Sequence, residues 1–188
     1  VSTVNLVDYT LWGTTAFGYH LTNALVHLIN IQLVYYLSLR LFKRAELSFL
    51  CSIVFLFHPI LANSVYWISG RTDMVSCSFY LISLIMTDKY LKNLDIKYFI
   101  LTQISFFAAL LSKEVSITLP LAQVWLVLYY KFSLQREIIL RPVLTRFATY
   151  NALVVAIFLS YRLFIFNQSP FIIDHIYNIG GLYHFFIN

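Results

Sequence analysis

Apolar residues in this chain form long blocks separated by short polar interruptions. The blocks lie near Phe17–Phe42, Leu47–Asn63, Asp73–Tyr90, Tyr98–Ser112, Val115–Tyr130 and Phe147–Phe166. About 20 apolar residues suffice for a helix to cross a bilayer. The pattern predicts an all-α fold, a polytopic membrane helix bundle of about six spans. The region 98–130 is the ambiguous one, since it reads as one over-long helix or two short ones. Lys113 and Glu114 lie at its middle, and a charged pair at the bilayer centre is expensive. Two helices meeting at Ser112–Ser116 avoid that cost and are short enough to need a locally thinned bilayer. Pro59 is expected to kink or stop the second span, and Pro120 to kink the fifth.

Within the first block, His20, Asn23, His27 and Asn30 recur at helical spacing on one face. That face is expected to look into the protein, where it either hydrogen-bonds between helices or, through His20, reaches a site. Residues 1–15 read as the end of an external loop, 16–166 as the transmembrane bundle, and 167–188 as the start of another external loop. Residues 131–146 read as a cytoplasmic interfacial segment, with Ile138, Ile139, Leu140 and Val143 toward the acyl boundary. Val1 is not a start residue and the end falls mid-pattern, so further residues are expected on both sides.

Composition agrees with a membrane class. The chain is 60% hydrophobic and 11% charged, where a soluble domain carries about 25% charged residues. Its mean hydropathy is +0.77. Cys51 and Cys77 lie inside apolar blocks and read as small fillers. The net charge of +5 would suit nucleic acid, but the basic residues fall between apolar blocks, so no nucleic acid is expected. Ten of the thirteen Lys and Arg residues fall on one side if the six blocks alternate. That side is placed in the cytoplasm. The opposite, external face then receives the stretch His58–Asp73 together with Lys113 and Glu114. Arg162, near the far end of the last block, is expected to snorkel. It is the one charge clearly inside a span, which argues against a transporter.

Three stretches carry a resemblance: GYHLTNALVHLIN (18–30), FHPILANSVYWISGRTD (57–73) and LLSKEVSITLPL (110–121). In order and approximate spacing they resemble successive signatures of the transmembrane and tetratricopeptide-repeat-containing (TMTC) O-mannosyltransferases and of related bacterial membrane glycosyltransferases. DYTLWG (8–13) resembles the segment leading into the first. The resemblance implies a GT-C-like fold and transfer of a sugar, in that family mannose, from a polyprenyl- or dolichyl-phosphate donor to Ser or Thr of an acceptor polypeptide. The site would face the endoplasmic reticulum lumen, or the periplasm for an inner-membrane protein. The family pattern at 58–73 usually has a His and a Glu where this chain has Leu61 and Asn63; His58, Pro59, Trp67, Gly70, Arg71 and Asp73 match it. The resemblance also puts the principal catalytic Asp upstream of Val1 and repeat domains downstream.

Such a transfer needs a base for the acceptor hydroxyl, cations for the departing phosphate and shielding from water. Arg71 and Lys113, the basic residues wholly on the external side, are the candidate donor-phosphate ligands; each is otherwise an anchor or a partner of Asp73 or Glu114. Glu114 and Asp73 are the candidate catalytic carboxylates, unless Glu114 only holds Lys113 and Asp73 only caps a helix. His20, His58 and Trp67 are the candidate pocket residues, with Trp67 either an interfacial anchor or a sugar-stacking surface. No metal site is legible, and a divalent cation held partly by the upstream loop is the one cofactor kept open. The alternative function is a non-catalytic membrane subunit of a larger complex that kept the fold.

Overall fold

A computed structural model describes residues 9–13, 15–67, 70–132 and 140–167. Among these residues the regular elements are all helical. The long helix α1 spans Ala16–Phe42 and ends where Lys43 turns into the left-handed region, its N–H returning to the Leu39 carbonyl at 3.0 Å. Helix α2, Ala45–Leu56, stops before His58-Pro59. Proline disfavours helical backbone in the residue before it, and its own N–H is absent. Pro59 then becomes the first residue of a separate short helix, α3, Pro59–Tyr66, a position proline tolerates well. Pro59 therefore stops one helix and starts another. Within 58–73 the described residues include all eight of α3 and the first three of the next helix, which begins at Arg71.

Helix α4, Arg71–Asn93, follows Gly70, and Asp73 sits in its first turn, where a carboxylate complements the positive helix end. Gly70, not Asp73, is the capping residue, and it provides no side-chain cap. Helix α5, Ile96–Ser112, opens on Asp95, whose side chain accepts from the Lys97 N–H at 3.1 Å. At Lys113 the backbone becomes extended, a 3₁₀ turn covers Glu114–Thr118, and α6 runs Leu119–Phe132. The expected break at Ser112–Ser116 is where the helix ends. Pro120, second in α6, falls where no internal hydrogen bond is lost, so the expected kink is replaced by a helix start. Helix α7, Leu140–Asn167, begins earlier than the apolar block suggested. Val143, expected at the acyl boundary, instead packs with Leu144 against the core. Ile138 and Ile139 lie outside the described residues.

Side-chain contacts fix the direction of each helix. Asn30 donates to the Met74 carbonyl (2.9 Å), and Arg40 pairs with Asp88, so α1 and α4 run the same way. Ser76 donates to the Ala109 carbonyl (3.1 Å) and Ser83 to that of Thr102 (3.0 Å), so α4 and α5 are antiparallel. Tyr130 reaches Asp88, and Arg146 donates to Tyr90 Oη (2.7 Å), so α6 descends and α7 rises beside them. One end of the bundle therefore gathers residues 58–67, 70–73, 112–118 and Arg162. The other gathers Arg40, Asp88, Lys92 and Arg146.

The packing suits a lipid solvent. Among the described residues three helical stretches, Ala16–Phe42, Glu114–Phe132 and Arg141–Ile165, are long and apolar enough to cross a membrane. Helix α4 has 23 residues, enough to cross, but is polar at both ends and lies inside the bundle. Two apolar clusters fill the interior, one around Tyr90, Phe99 and Phe147 and one around Phe106, Leu110 and Phe158. Between them runs a polar ladder: Asn151 donates to Gln123 Oε1 at 2.7 Å, and Gln123 to Ser83 Oγ at 3.4 Å. These amides have no water to bond within a bilayer, so pairing them ties α4, α6 and α7 together. Outward positions such as Phe49, Ile104 and Leu153 are exposed and apolar. The chain is an all-α membrane helix bundle.

Candidate active site

At the first end of the bundle, α5, the 3₁₀ turn and α7 enclose a pocket of about 290 Å³. This is near the lower edge of ligand-site volumes, ~300–1,000 Å³, so it suits one small head group. Leu110, Leu111, Phe158 and Ile165 line its apolar side, and Ser112, Lys113, Glu114, Tyr161 and Arg162 its polar side. Two ion pairs stand at the polar side. Lys113 Nζ pairs with Asp73 Oδ1, and Arg162 Nη1 with Glu114 Oε1. The local backbone explains the first: ending α5 at Ser112 swings Lys113 into extended backbone, toward the first turn of α4. Behind them Ser116 and Ser76 share a buried hydrogen bond of 2.6 Å that holds the 3₁₀ turn on α4.

Both pairs are substantially exposed, with side-chain accessibilities of 42% and 35% for Lys113 and Asp73, and 53% and 63% for Arg162 and Glu114. Exposed pairs contribute only ~0–1 kcal/mol. An incoming phosphate can therefore displace either carboxylate at small cost, gaining charge-assisted hydrogen bonds from a lysine and an arginine. The carboxylates so released would sit beside the same ligand.

Arg71 lies elsewhere. Its side chain is wholly buried, with Nε donating to Asn23 Oδ1 (2.9 Å), Nη2 to the Tyr19 carbonyl (2.8 Å), and its guanidinium over the Tyr19 ring. Asn23 in turn donates to the carbonyls of Val65 and Trp67, each at 3.2 Å. Arg71 and Asn23 thus clamp the end of α3 onto α1. Gly70 completes the clamp by close approach: a Cβ there would meet the Ser64 carbonyl oxygen at 2.5 Å. Trp67 projects outward at 71% exposure beside an equally exposed Tyr66, and His58 is exposed at the α2–α3 break. Of the polar face of α1, Asn23, His27 and Asn30 are buried, whereas His20 is exposed. The side chains of Leu61 and Asn63 lie outside the described part of the structure.

The structure thus joins Asp73, Lys113 and Glu114 in one place. It buries Arg71 against Tyr19 and Asn23 of α1, and leaves Trp67, His58 and His20 at the surface. Arg162, read as a snorkelling residue, proves to be a pocket residue. The signal available was topological: if six blocks alternate, the far end of the last one emerges on the face that carries Glu114. Among the described residues, no group of three or more His, Cys, Asp or Glu could hold a metal ion.

No protein-family model matches this chain, and no solved structure matches it. Curated relatives do. The chain is 31% identical over 112 residues to protein O-mannosyl-transferase Tmtc1 of Drosophila melanogaster, covering 60% of this chain and 13% of the fly protein. It is 31% identical over 86 residues to protein O-mannosyl-transferase TMTC1 of Homo sapiens, covering 45% and 9%. To protein O-mannosyl-transferase F38B6.6 of Caenorhabditis elegans it is 32% identical over 122 residues, covering 62% and 17%. The matches thus span less than a fifth of each relative's length. Over the matched part of its length, this chain of packed membrane helices resembles the TMTC protein O-mannosyltransferases.

Proposed function

We propose that this chain forms part of the membrane domain of a glycosyltransferase that moves mannose from dolichyl or polyprenyl phosphate to Ser or Thr of an acceptor polypeptide. The observation that carries the reading is the pocket in which Lys113, from the junction of α5 and the 3₁₀ turn, and Arg162, from α7, converge. The acceptor oxygen attacks the sugar's anomeric carbon. The bond from that carbon to the phosphate oxygen breaks, and the lipid phosphate leaves with the electron pair. The acceptor's proton passes to a carboxylate. Lys113 and Arg162 hold the phosphate, and the apolar side of the pocket receives the first part of the lipid. Glu114 and Asp73 are the nearby carboxylates, released as the phosphate displaces them. Arg71 acts as a positioning residue, fixing the α3 end through Asn23. This end of the bundle faces the lumen or periplasm, opposite the basic cytoplasmic end.

The test is transfer by the full-length protein in liposomes with dolichyl-phosphate mannose and a Ser/Thr peptide. Lys113→Gln and Arg162→Gln should each lower kcat/KM about tenfold or more, as expected for losing a charged hydrogen bond of ~1.5–3 kcal/mol. Wild-type kinetics in both variants would remove the phosphate assignment. A second reading, a non-catalytic subunit of a larger complex, is favoured by Leu61 and Asn63, which lack the imidazole and carboxylate of the family pattern. A folded wild-type protein that binds the donor lipid without transferring its sugar would favour that reading.

A further inference from the structure

The opposite end of the bundle holds a second charged cluster that the transfer reaction does not use. Asp88 is fully buried on α4. Arg40 of α1 pairs with it, Lys92 Nζ lies 3.1 Å from its Oδ1, and Tyr130 of α6 donates to it. Two other cations at this end meet aromatic groups. Arg146 donates to Tyr90 Oη, and Lys89 lies 5.7 Å from the centre of the Tyr98 ring. Lys97, over the same Tyr98 ring, is already paired with Asp95; with that pair set aside, four cations stand around the single carboxylate of Asp88. One cation balances Asp88. Holding the second against the same carboxylate costs desolvation that the single negative charge does not repay. The arrangement is complementary to one further anion.

The surroundings say what kind of anion. Arg40 and Lys92 are not sealed in, since their side chains are 22% and 26% exposed. Beside them, at the same helix ends, Phe42, Ile96 and Phe132 are exposed and apolar. A free phosphate makes no use of such residues, whereas a lipid lays its acyl chains on them. Basic pockets between spanning helices on the cytoplasmic side suit anionic head groups, and guanidinium and ammonium donors match phosphate oxygens.

We infer that the Arg40–Asp88–Lys92 cluster seats the phosphate of an anionic phospholipid from the leaflet at the basic end. The ligand bridges α1 and α4 at the point where Tyr130 ties them to α6. The site lies at the far end of the bundle from the pocket and does not depend on the transfer reaction.

The experiment uses the full-length protein in mild detergent, titrated with short-chain phosphatidylglycerol and read by native mass spectrometry. Phosphatidylcholine and glycerol phosphate are the comparison ligands. Phosphatidylglycerol should bind at least fivefold more tightly than phosphatidylcholine. Lys92→Gln should weaken it about fivefold, the effect of one cation near an anionic surface. Lys92→Arg should retain it. Lys43→Gln, an exposed basic residue at the same end, should leave it unchanged. Should Lys92→Gln fail to purify, Lys89→Gln carries the test, with a smaller loss expected. Equal binding of phosphatidylcholine overturns the inference. So does an equal loss in Lys43→Gln, which would mark diffuse surface charge. Full competition by glycerol phosphate at the lipid's own concentration overturns it too, because the head group alone would then suffice.

Discussion

Asn23 shows how one side chain organises a motif far from it in sequence. Its amide nitrogen serves two carbonyls of the α3 end and its oxygen serves Arg71. Asn23→Ala removes three hydrogen bonds, one of them to a charged group. The expected loss is ~2–4 kcal/mol, read as a lower midpoint of thermal unfolding in detergent. An unchanged midpoint would remove the clamp. Arg71→Met should destabilise as well, and its donor KM should change far less than that of Lys113→Gln. The sequence placed Arg71 among the phosphate ligands because it is one of two cations on its face. Whether such a residue meets solvent depends on what α1 presents to it, and Tyr19 and Asn23 lie about fifty positions away. Local pattern carries no record of that facing. The same holds for Arg162 and Glu114, which meet only once α7 is laid against the 3₁₀ turn.

Helices and their breaks were more legible. Apolar length located the long elements, and the cost of burying Lys113 and Glu114 located the break between α5 and α6. Short helix α3 escaped because its eight residues are bounded by a proline that equally suits a turn. The start of α7 escaped because Leu140–Arg146 is too basic to count as apolar, yet it packs through Val143 and Leu144. The α4–α5 connection carries its own strain. Leu94 adopts φ 55, a region glycine occupies freely. Leu94 is also exposed, so little packing is lost on truncation. Leu94→Gly should therefore stabilise the bundle by ~1 kcal/mol, visible as a raised unfolding midpoint; a lowered one would refute it. Beside it, the side-chain and backbone hydrogen bonds of Lys97 hold the Asp95 carboxyl below its ordinary range. That contribution is present at neutral pH, above the carboxylate's unfolded value, and is lost as pH falls through the depressed one.

For the molecule as a whole, the two ends differ in charge and should face opposite sides of the membrane. Asn93→Cys and Val115→Cys, both exposed positions, test this in a background lacking Cys51 and Cys77. An impermeant maleimide should reach position 115 from the lumenal or periplasmic side and position 93 only after the membrane is opened. Labelling of both from one side would break the six-crossing arrangement. Between these ends stands the ladder through Asn151, whose amide α7 cannot give up to lipid. Asn151 lies eleven residues from Arg162 but five from Arg146, so at 1.5 Å per residue its two arms measure about 16 Å and about 8 Å. Helix α7 is thus a lever with an off-centre fulcrum. Were α7 to tilt about Asn151, a displacement at its short, basic arm would be about doubled at the long arm, where Arg162 meets Glu114.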